Sequence, residues 1–371
     1  MALPKENVEI TEPHHLPGQI FGGTHQMEPW FKIPQAGVLL YQTDSLRLLN
    51  QMEPVFDCIF ADPPYFLSND GITCQAGRMV SVNKGMWDKA ATFEEIHQFN
   101  LKWLGACLQV LKPNGTIWVS GTQHNIHSVG FAMQTLGYKI LNDIAWYKVN
   151  PPPNLACRYF THSTETILWA RKSPKSRHYF NYPLMKRMNG GKQMQNLWHI
   201  KPPGPAEKRY GKHPTQKPEA LLDRIILAST QEGDLVLDPF CGSGTTGVSC
   251  IRHGRQFVGV DLEREFLDLA ESRISHIYLE RQLQNCRVSA HELTHAAFNG
   301  YTWADLICAA ITGLGGKAHL REINRLVRTW AYESSNRTWP STIRRVVRQS
   351  SMFEPLGHGN YRVTSHQPIT V

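Results

Sequence analysis

From residue 38 onward, short apolar runs alternate with stretches of helical period, and no other feature limits the fold of this chain as strongly. VLLYQ (38–42), VFDCIFA (55–61), TIWVSG (116–121), 138–147, ETILWAR (165–171), LVLDP (235–239) and FVGVDL (257–262) read as strands. Residues 93–110, 124–136, 218–230, 245–253 and 264–283 carry apolar side chains at helical spacing. Strands that are apolar on both faces belong inside a covered sheet, and strands separated by helices are joined by crossovers that make them parallel. The expected fold is α/β: a doubly wound parallel sheet with helices on both faces. Asn114-Gly115 is expected to turn the chain just before the strand at 116–121.

The remaining segments divide the chain. Residues 1–35 read as an irregular arm, 36–171 as one half of the large domain and 214–285 as the other. Between the halves, residues 172–213 are rich in Pro, Gly, Lys and Asn and read as a long insert without regular structure. After a linker at 286–300, residues 301–371 form a small domain, with helices at 302–313, 318–332 and 339–350 and two strands within 352–364. Three helices followed by a hairpin resemble a winged helix, whose third helix would enter a DNA groove; a helical cap or dimerisation module is the plainer reading. No apolar window reaches the length of a membrane span, and the first residues lack the apolar core of a secretory signal. Eight scattered cysteines without a C-x-x-C pair argue against a zinc ribbon or disulfide framework and fit a reducing compartment. His291-Glu292-Leu293-Thr294-His295 matches a zinc-protease pattern, but it falls in the linker without an obvious third ligand, so no metal site is expected.

The net charge is +8, and its distribution is uneven. Residues 1–150 carry 10 basic and 13 acidic side chains, whereas 171–217 carry 12 basic residues against Glu207 alone. A second basic zone, 317–348, has eight basic residues against Glu322 and Glu333. Two such zones, the first interleaved with Tyr179, Trp198 and Tyr210, point to a nucleic acid. The candidate contacts are Lys186, Arg187 and Lys192 in the insert, and Arg344, Arg345 and Arg348 on the third C-terminal helix.

Two strand ends carry the chemistry. Asp62-Pro63-Pro64-Tyr65 follows the strand 55–61, which places the acid at the carboxyl end of the sheet, where open α/β sheets bind ligands. The prolines stiffen the turn and bring no N–H of their own, leaving carbonyls available. A carboxylate, a fixed carbonyl and an aromatic face are what an exocyclic amine on a flat base requires. Leu237-Asp238-Pro239-Phe240-Cys241-Gly242-Ser243-Gly244-Thr245-Thr246 likewise follows a strand and opens a helix, with glycines where backbone must approach a ligand. The next strand ends at Asp261, roughly 20 residues on, a spacing that suits a ribose diol, with Glu263 as the fallback.

With ADPPYFLSND at 61–70, SVNKGMWDK at 81–89, NPPPNLACRYFTHSTETILWARK at 150–172, HPTQKP at 213–218 and DPFCGSGTT at 238–246, the chain resembles the beta-class amino-methyltransferases of DNA. Among these it is most similar to the MboII/DpnII-type adenine enzymes of bacterial restriction–modification systems. The resemblance covers about 38–283 and implies a Rossmann-like methyltransferase sheet, with S-adenosyl-L-methionine as methyl donor. Asp62 would then hold the target amine with the Pro63 carbonyl, Pro64 would complete the turn, and Tyr65 would stack on the flipped base. Phe240, Gly242 and Gly244 would line the cofactor pocket. Asp238 would face the methionine end of the cofactor, Thr215 and Lys217 its carboxylate, Asp261 the ribose and Asp44 the adenine. The partner implied is DNA, as a duplex with a flipped base, with single strands left open. A cognate restriction endonuclease, a homodimer and the bacterial cytoplasm belong to the same expectation. Adenine N6 leads over cytosine N4 because the motif begins with Asp rather than Ser. A catalytically idle DNA-binding protein on the same scaffold is the other class of reading.

Overall fold

The computed structural model describes residues 20–22, 27–66, 72–75, 78–81, 92–149, 151, 153–154, 157–285, 301–333 and 338–364. The first half contains β1 (Phe31–Ile33), β2 (Val38–Gln42), α1 (Ser45–Leu49), β3 (Phe56–Ala61), β4 (Ile72–Gln75), β5 (Arg78–Ser81), α2 (Phe93–Val110), β6 (Leu111–Gly121), α3 (Ile126–Thr135), β7 (Lys139–Tyr147) and β8 (Thr164–Arg171). Then come α4 (Tyr182–Met188), β9 (Leu197–His199), α5 (Glu219–Ser229), β10 (Leu235–Asp238), α6 (Thr245–Arg252), β11 (Gln256–Asp261) and α7 (Arg264–Asn285). The C-terminal part is α8 (Trp303–Gly313), β12 (Lys317–His319), α9 (Leu320–Glu333), α10 (Trp339–Gln349), β13 (Phe353–Gly357) and β14 (Asn360–Val363).

One nine-stranded sheet runs in the order β1-β2-β11-β10-β3-β6-β8-β7-β9. Alternate residues serve its two faces. In β2, Val38 and Leu40 join one core and Leu39 and Tyr41 the other; in β3, Cys58 and Phe60 oppose Ile59 and Ala61. Helices α1, α2 and α3 cover one face, and α5, α6 and α7 the other, so the apolar runs are buried on both sides as their sequence requires. β10, late in the chain, lies parallel to β3, early in the chain, with Leu237 opposite Ile59. That pairing is a switch point of the sheet, and it brings Asp238 and Asp62 to neighbouring strand ends.

The structure corrects several expectations. The sheet is mixed: β8 runs antiparallel to both β6 and β7. No helical pattern separates β7 from β8, so no crossover is available and the two pair as neighbours in antiparallel fashion. Asn114-Gly115 does not precede a strand but lies within β6. Phe56 pairs with Leu111 and Cys58 with Thr116, so the turn residues loop out as a bulge. Part of the supposed arm, Phe31–Ile33, is an edge strand on β2.

The insert 172–213 is not structureless. Asn181 caps α4 by accepting the Leu184 N–H at 3.2 Å, and β9 adds to the sheet with Ala145 opposite Leu197. Trp198, expected at a nucleic-acid surface, is instead buried and packs on Trp118, which stacks on Trp169. Apolar anchoring, not a ligand, explains that aromatic. Cys157 is exposed, unlike the buried Cys58, Cys107, Cys241 and Cys250.

In the C-terminal part, three helices flank a three-stranded sheet ordered β12-β14-β13. A capping box at Thr302 and Asp305 starts α8. This part shares its core with the large sheet. Gly313 packs so closely on Tyr278 of α7 that a Cβ would lie 2.5 Å from the ring. Arg325 of α9 pairs with buried Glu271 at 2.8 Å and lies over the rings of Trp30 and Phe31. Trp330 stacks on His276, whose pKa burial pushes down to about 3, so the ring is neutral. Removing 301–371 would therefore uncover the apolar side of α7. The linker 286–300, with its histidine pattern, lies outside the described residues, as do 82–89.

Candidate functional site

β3 delivers Asp62 to the carboxyl edge of the sheet, and the proline pair that follows folds Tyr65 back over it. The Tyr65 hydroxyl donates to Asp62 Oδ1 at 2.5 Å and lies 3.0 Å from Ser120 Oγ of β6. Burial, then the Asp62 charge, holds the Tyr65 hydroxyl well above its ordinary pKa. The second Asp62 oxygen, Oδ2, receives the Lys217 ammonium. Lys217 is buried just ahead of α5 and also stands 4.0 Å from Glu165. Burial opposes its charge, but Asp62 and Glu165 outweigh that cost and raise its pKa. Glu165, at the start of β8, is paired in turn with Lys148 from the end of β7. Four charged groups thus alternate in sign along one wall: Asp62, Lys217, Glu165 and Lys148.

At the end of β10 the chain turns through Gly242 (φ +49°) and Gly244 (φ +71°), conformations that favour glycine. Buried Asp238 braces this turn. Its Oδ1 accepts the Phe240 N–H at 3.1 Å and its Oδ2 the Thr246 hydroxyl at 2.5 Å. Burial pushes the Asp238 carboxyl up to about 7. Asp261 of β11 ties the next strand end to the turn, accepting from Gly242 N–H at 2.8 Å and from Glu263 N–H at 2.9 Å. Its pKa is raised by burial. From the far side, Arg273 of α7 donates to the Ser243 carbonyl and the Thr245 hydroxyl, both at 2.8 Å. The Thr245 hydroxyl donates to the Lys217 carbonyl at 3.2 Å, so the turn and the Asp62 site are braced together.

Two cavities meet at Tyr65, His213 and Thr215. The first, about 240 Å³, is walled by the rings of Phe99, Trp103, Phe240 and Phe266, with the carboxylates of Asp44, Asp261 and Glu263 along it. The second, about 290 Å³, is bounded by Trp146, Lys148, Glu165, Pro203 and Lys208. A smaller recess of about 30 Å³ joins Asp62, Thr215, Lys217 and Asp238 beneath the glycine turn. An aromatic slot with carboxylates at one end and a charged recess at the other suits a nucleoside bearing an amino-acid tail.

Most of the expected residues meet here, though not always in the expected way. Asp44 lines the first cavity but also caps α1, accepting the Arg47 N–H at 3.0 Å. Phe240 and Gly242 line it as expected. Gly244 does not: a Cβ there would lie 2.6 Å from Ala270 Cβ, so its task is to let α7 approach the turn. Tyr65 is buried and bonded to Asp62 and presents its ring to both cavities. Lys217, expected on the cofactor carboxylate, points to Asp62. Lys186, Arg187 and Lys192 are exposed in the insert, and Arg344, Arg345 and Arg348 share the exposed side of α10, outside all of these cavities. Other members of the first basic zone serve the fold instead. Arg171 donates to the carbonyls of Pro174 and Ser176.

Sequence reasoning missed His213, Trp103, Trp146, Lys148 and Glu165. The signal for the last two was a lysine at the exit of one apolar strand and an acid at the entry of the next. It becomes meaningful only when the strands pair and set Trp146 opposite Glu165. Among the described residues no group of His, Cys, Asp and Glu could hold a metal, and no helix is long and apolar enough to cross a membrane.

The fold is one found in DNA methyltransferases. The solved PvuII DNA methyltransferase, titled cytosine-N4-specific, aligns with a TM-score of 0.51 over 67% of this chain and 88% of its own, at 21% identity. Residues 56–272 match the family model described as DNA methylase, and the chain belongs to that family. It is 57% identical over 256 residues to the Type II methyltransferase M2.DpnII of Streptococcus pneumoniae, covering 68% of this chain and 95% of the relative. To M2.MboI of Moraxella bovis it is 50% identical over 253 residues, covering 68% and 93%. About a third of this chain therefore has no counterpart in those alignments, and the family match stops short of α8.

Proposed function

We propose that this enzyme transfers a methyl group from S-adenosyl-L-methionine to the N6 amine of an adenine flipped out of DNA, at a specific site, as the methyltransferase of a restriction–modification system. The observation that carries this reading is the Asp62 carboxylate, which lines the first cavity and is held by Tyr65 and Lys217, both of which line the second. The first cavity takes the cofactor, with its adenine among Phe99, Phe240 and Phe266 and its ribose at Asp261 and Glu263. Asp238 meets its amino group, and Thr215 borders the same recess. When bound, the cofactor supplies an electrophilic methyl on a sulfonium. The second cavity takes the adenine.

A base inside a duplex cannot reach such a cavity, so the nucleotide leaves the stack. Its amine lone pair is delocalised into the ring, and the protein's task is alignment together with accepting the two N–H bonds. Each Asp62 oxygen keeps a lone pair beyond those used by Tyr65 and Lys217, and the Pro63 carbonyl supplies a further acceptor. As the N–C bond forms and the C–S bond breaks, positive charge on the nitrogen is met by Asp62. The surplus proton then leaves from the nitrogen to solvent. Lys217 holds the Asp62 carboxylate in orientation, and no cysteine takes part.

Asp62→Ala should abolish methylation while S-adenosylmethionine affinity stays within a few-fold. Retention of more than about a tenth of the activity would refute the amine role. Mapping of N6-methyladenine in DNA from expressing cells tests the reading as a whole.

We further infer that 301–371 acts as a winged-helix DNA grip, with Arg344, Arg345 and Arg348 on the phosphates, and that Lys186, Arg187 and Lys192 read or flank the site. A triple Arg→Gln variant of α10 should then lower the salt slope of DNA binding by up to about 0.9 per lost contact without changing the methylated sites. A changed site preference would move base readout into this part. A cognate endonuclease cutting the same sequence, action in the cytoplasm and a homodimer complete the proposal.

A further inference from the structure

Among the described residues, Phe160 is the most exposed large apolar side chain, at 96%. Exposed Phe93 and Phe131 at least lie against the His97 ring, whereas Phe160 stacks on no ring of the described residues. Its neighbours Arg158 and Tyr159 are exposed as well. Described residues around it are nonetheless hydrogen-bonded to one another. Cys157 adopts a φ of +52°, unusual for a non-glycine residue, and its N–H donates to the Asn154 carbonyl at 3.3 Å. The Asn154 amide donates to the Tyr159 carbonyl at 2.6 Å, and the Tyr159 ring lies 5.8 Å from that of His162.

Two anchors tie the end of this segment to strands and loops that wall the second cavity. The Lys148 N–H donates to the Ser163 carbonyl at 2.8 Å, and His162 lies 3.0 Å from the Gln123 amide. Lys148 and Thr122 both line that cavity, and so does Glu165, five residues after Phe160. An aromatic ring is thus held in solvent by a strained, hydrogen-bonded turn a few residues from the walls of the cavity assigned to the target base. Lysines line that cavity, and the exposed Arg158 lies two residues before Phe160 in the chain. A ring in that place complements a base stack, because every base has an apolar face and the phosphates on either side are anionic.

We propose that Phe160 inserts into the DNA base stack beside the target nucleotide, filling the gap left when the adenine flips into the second cavity. The proposal rests on the reading of that cavity given above. It makes Phe160 a substrate-contacting residue for flipping rather than for methyl transfer.

The test uses the full chain and three substrates carrying the mapped site: the duplex, the same duplex with an abasic position opposite the target adenine, and the single strand. Phe160→Ala should lower kcat/KM on the intact duplex by about 10- to 100-fold, the range that loss of one base–aromatic stack gives. The loss should shrink to within about threefold on the abasic-opposed duplex and the single strand, where flipping costs little. With 2-aminopurine as target base, the wild-type fluorescence rise should be lost in Phe160→Ala and restored in Phe160→Trp. S-adenosylmethionine affinity should not change. Activity within twofold of wild type on the duplex overturns the proposal, and so do equal losses on all three substrates. Failure of the wild type itself to methylate any of them would instead refute the assignment of the site.

Discussion

Replacing Lys217 by methionine keeps most of the side chain's volume and removes its charge from between Asp62 and Glu165. All three groups are largely buried, with side chains 6%, 15% and 11% exposed. A unit charge 4 Å from another contributes about 4 kcal/mol at an effective dielectric of 20, and removing one partner of a buried pair costs about 3–5 kcal/mol. Glu165 keeps Lys148, so the penalty falls mainly on Asp62, and the low end, about 3 kcal/mol, applies. At roughly 2 °C per kcal/mol for a chain of this size, Tm should fall by about 6 °C. In the double variant Lys217→Met with Asp62→Asn no unpaired charge remains. Its loss should be smaller than the sum of the single losses by about 2 kcal/mol or more. Thermal unfolding of the four proteins completes the cycle, and calorimetry with S-adenosylmethionine separates the two roles available to Lys217. If the lysine serves Asp62, kcat falls while cofactor affinity moves little. A cofactor affinity more than tenfold weaker with kcat retained would return Lys217 to the methionine carboxylate, and additive stabilities would refute the coupling itself.

Asp238→Asn should change how stability depends on pH. The folded carboxyl holds its proton up to about pH 7, whereas unfolded aspartate releases it near 4. Between those values the folded chain binds more protons than the unfolded chain, so wild-type stability falls as pH rises, by at most about 4 kcal/mol. Urea titrations at pH 5 and pH 8 without cofactor should show a smaller fall in the variant, and equal falls in both proteins would contradict a buried carboxyl of raised pKa. Gly244→Ala should cost about 2–4 kcal/mol, from a left-handed backbone and a Cβ only 2.6 Å from Ala270 Cβ. Gly242→Ala places its Cβ 3.0 Å from His213 Nε2 on the cavity wall and should weaken cofactor binding more than it weakens the fold. The reverse ranking in urea midpoints and calorimetry would exchange the two roles.

Period and turn chemistry in the sequence determined the strands, the helices, their burial on both faces and the two strand ends that carry Asp62 and Asp238. Those are local properties: an apolar run, a proline pair or a glycine turn behaves much the same wherever the chain takes it. Tertiary structure decided what depends on partners distant in sequence. β8 runs antiparallel because nothing between it and β7 can form a crossover, and Trp198 is a core residue because β9 adds to β7. Lys217 and Asp62 are 155 residues apart, and only the pairing of β10 with β3 brings their neighbourhoods together. The same holds for Lys148 and Glu165, whose opposite charges had no meaning until β7 and β8 placed them side by side. Gly244 shows the division within a single residue. The glycine turn that holds it was legible in the sequence, but its need to be glycine comes from Ala270 on α7, a contact that exists only once the helix has docked.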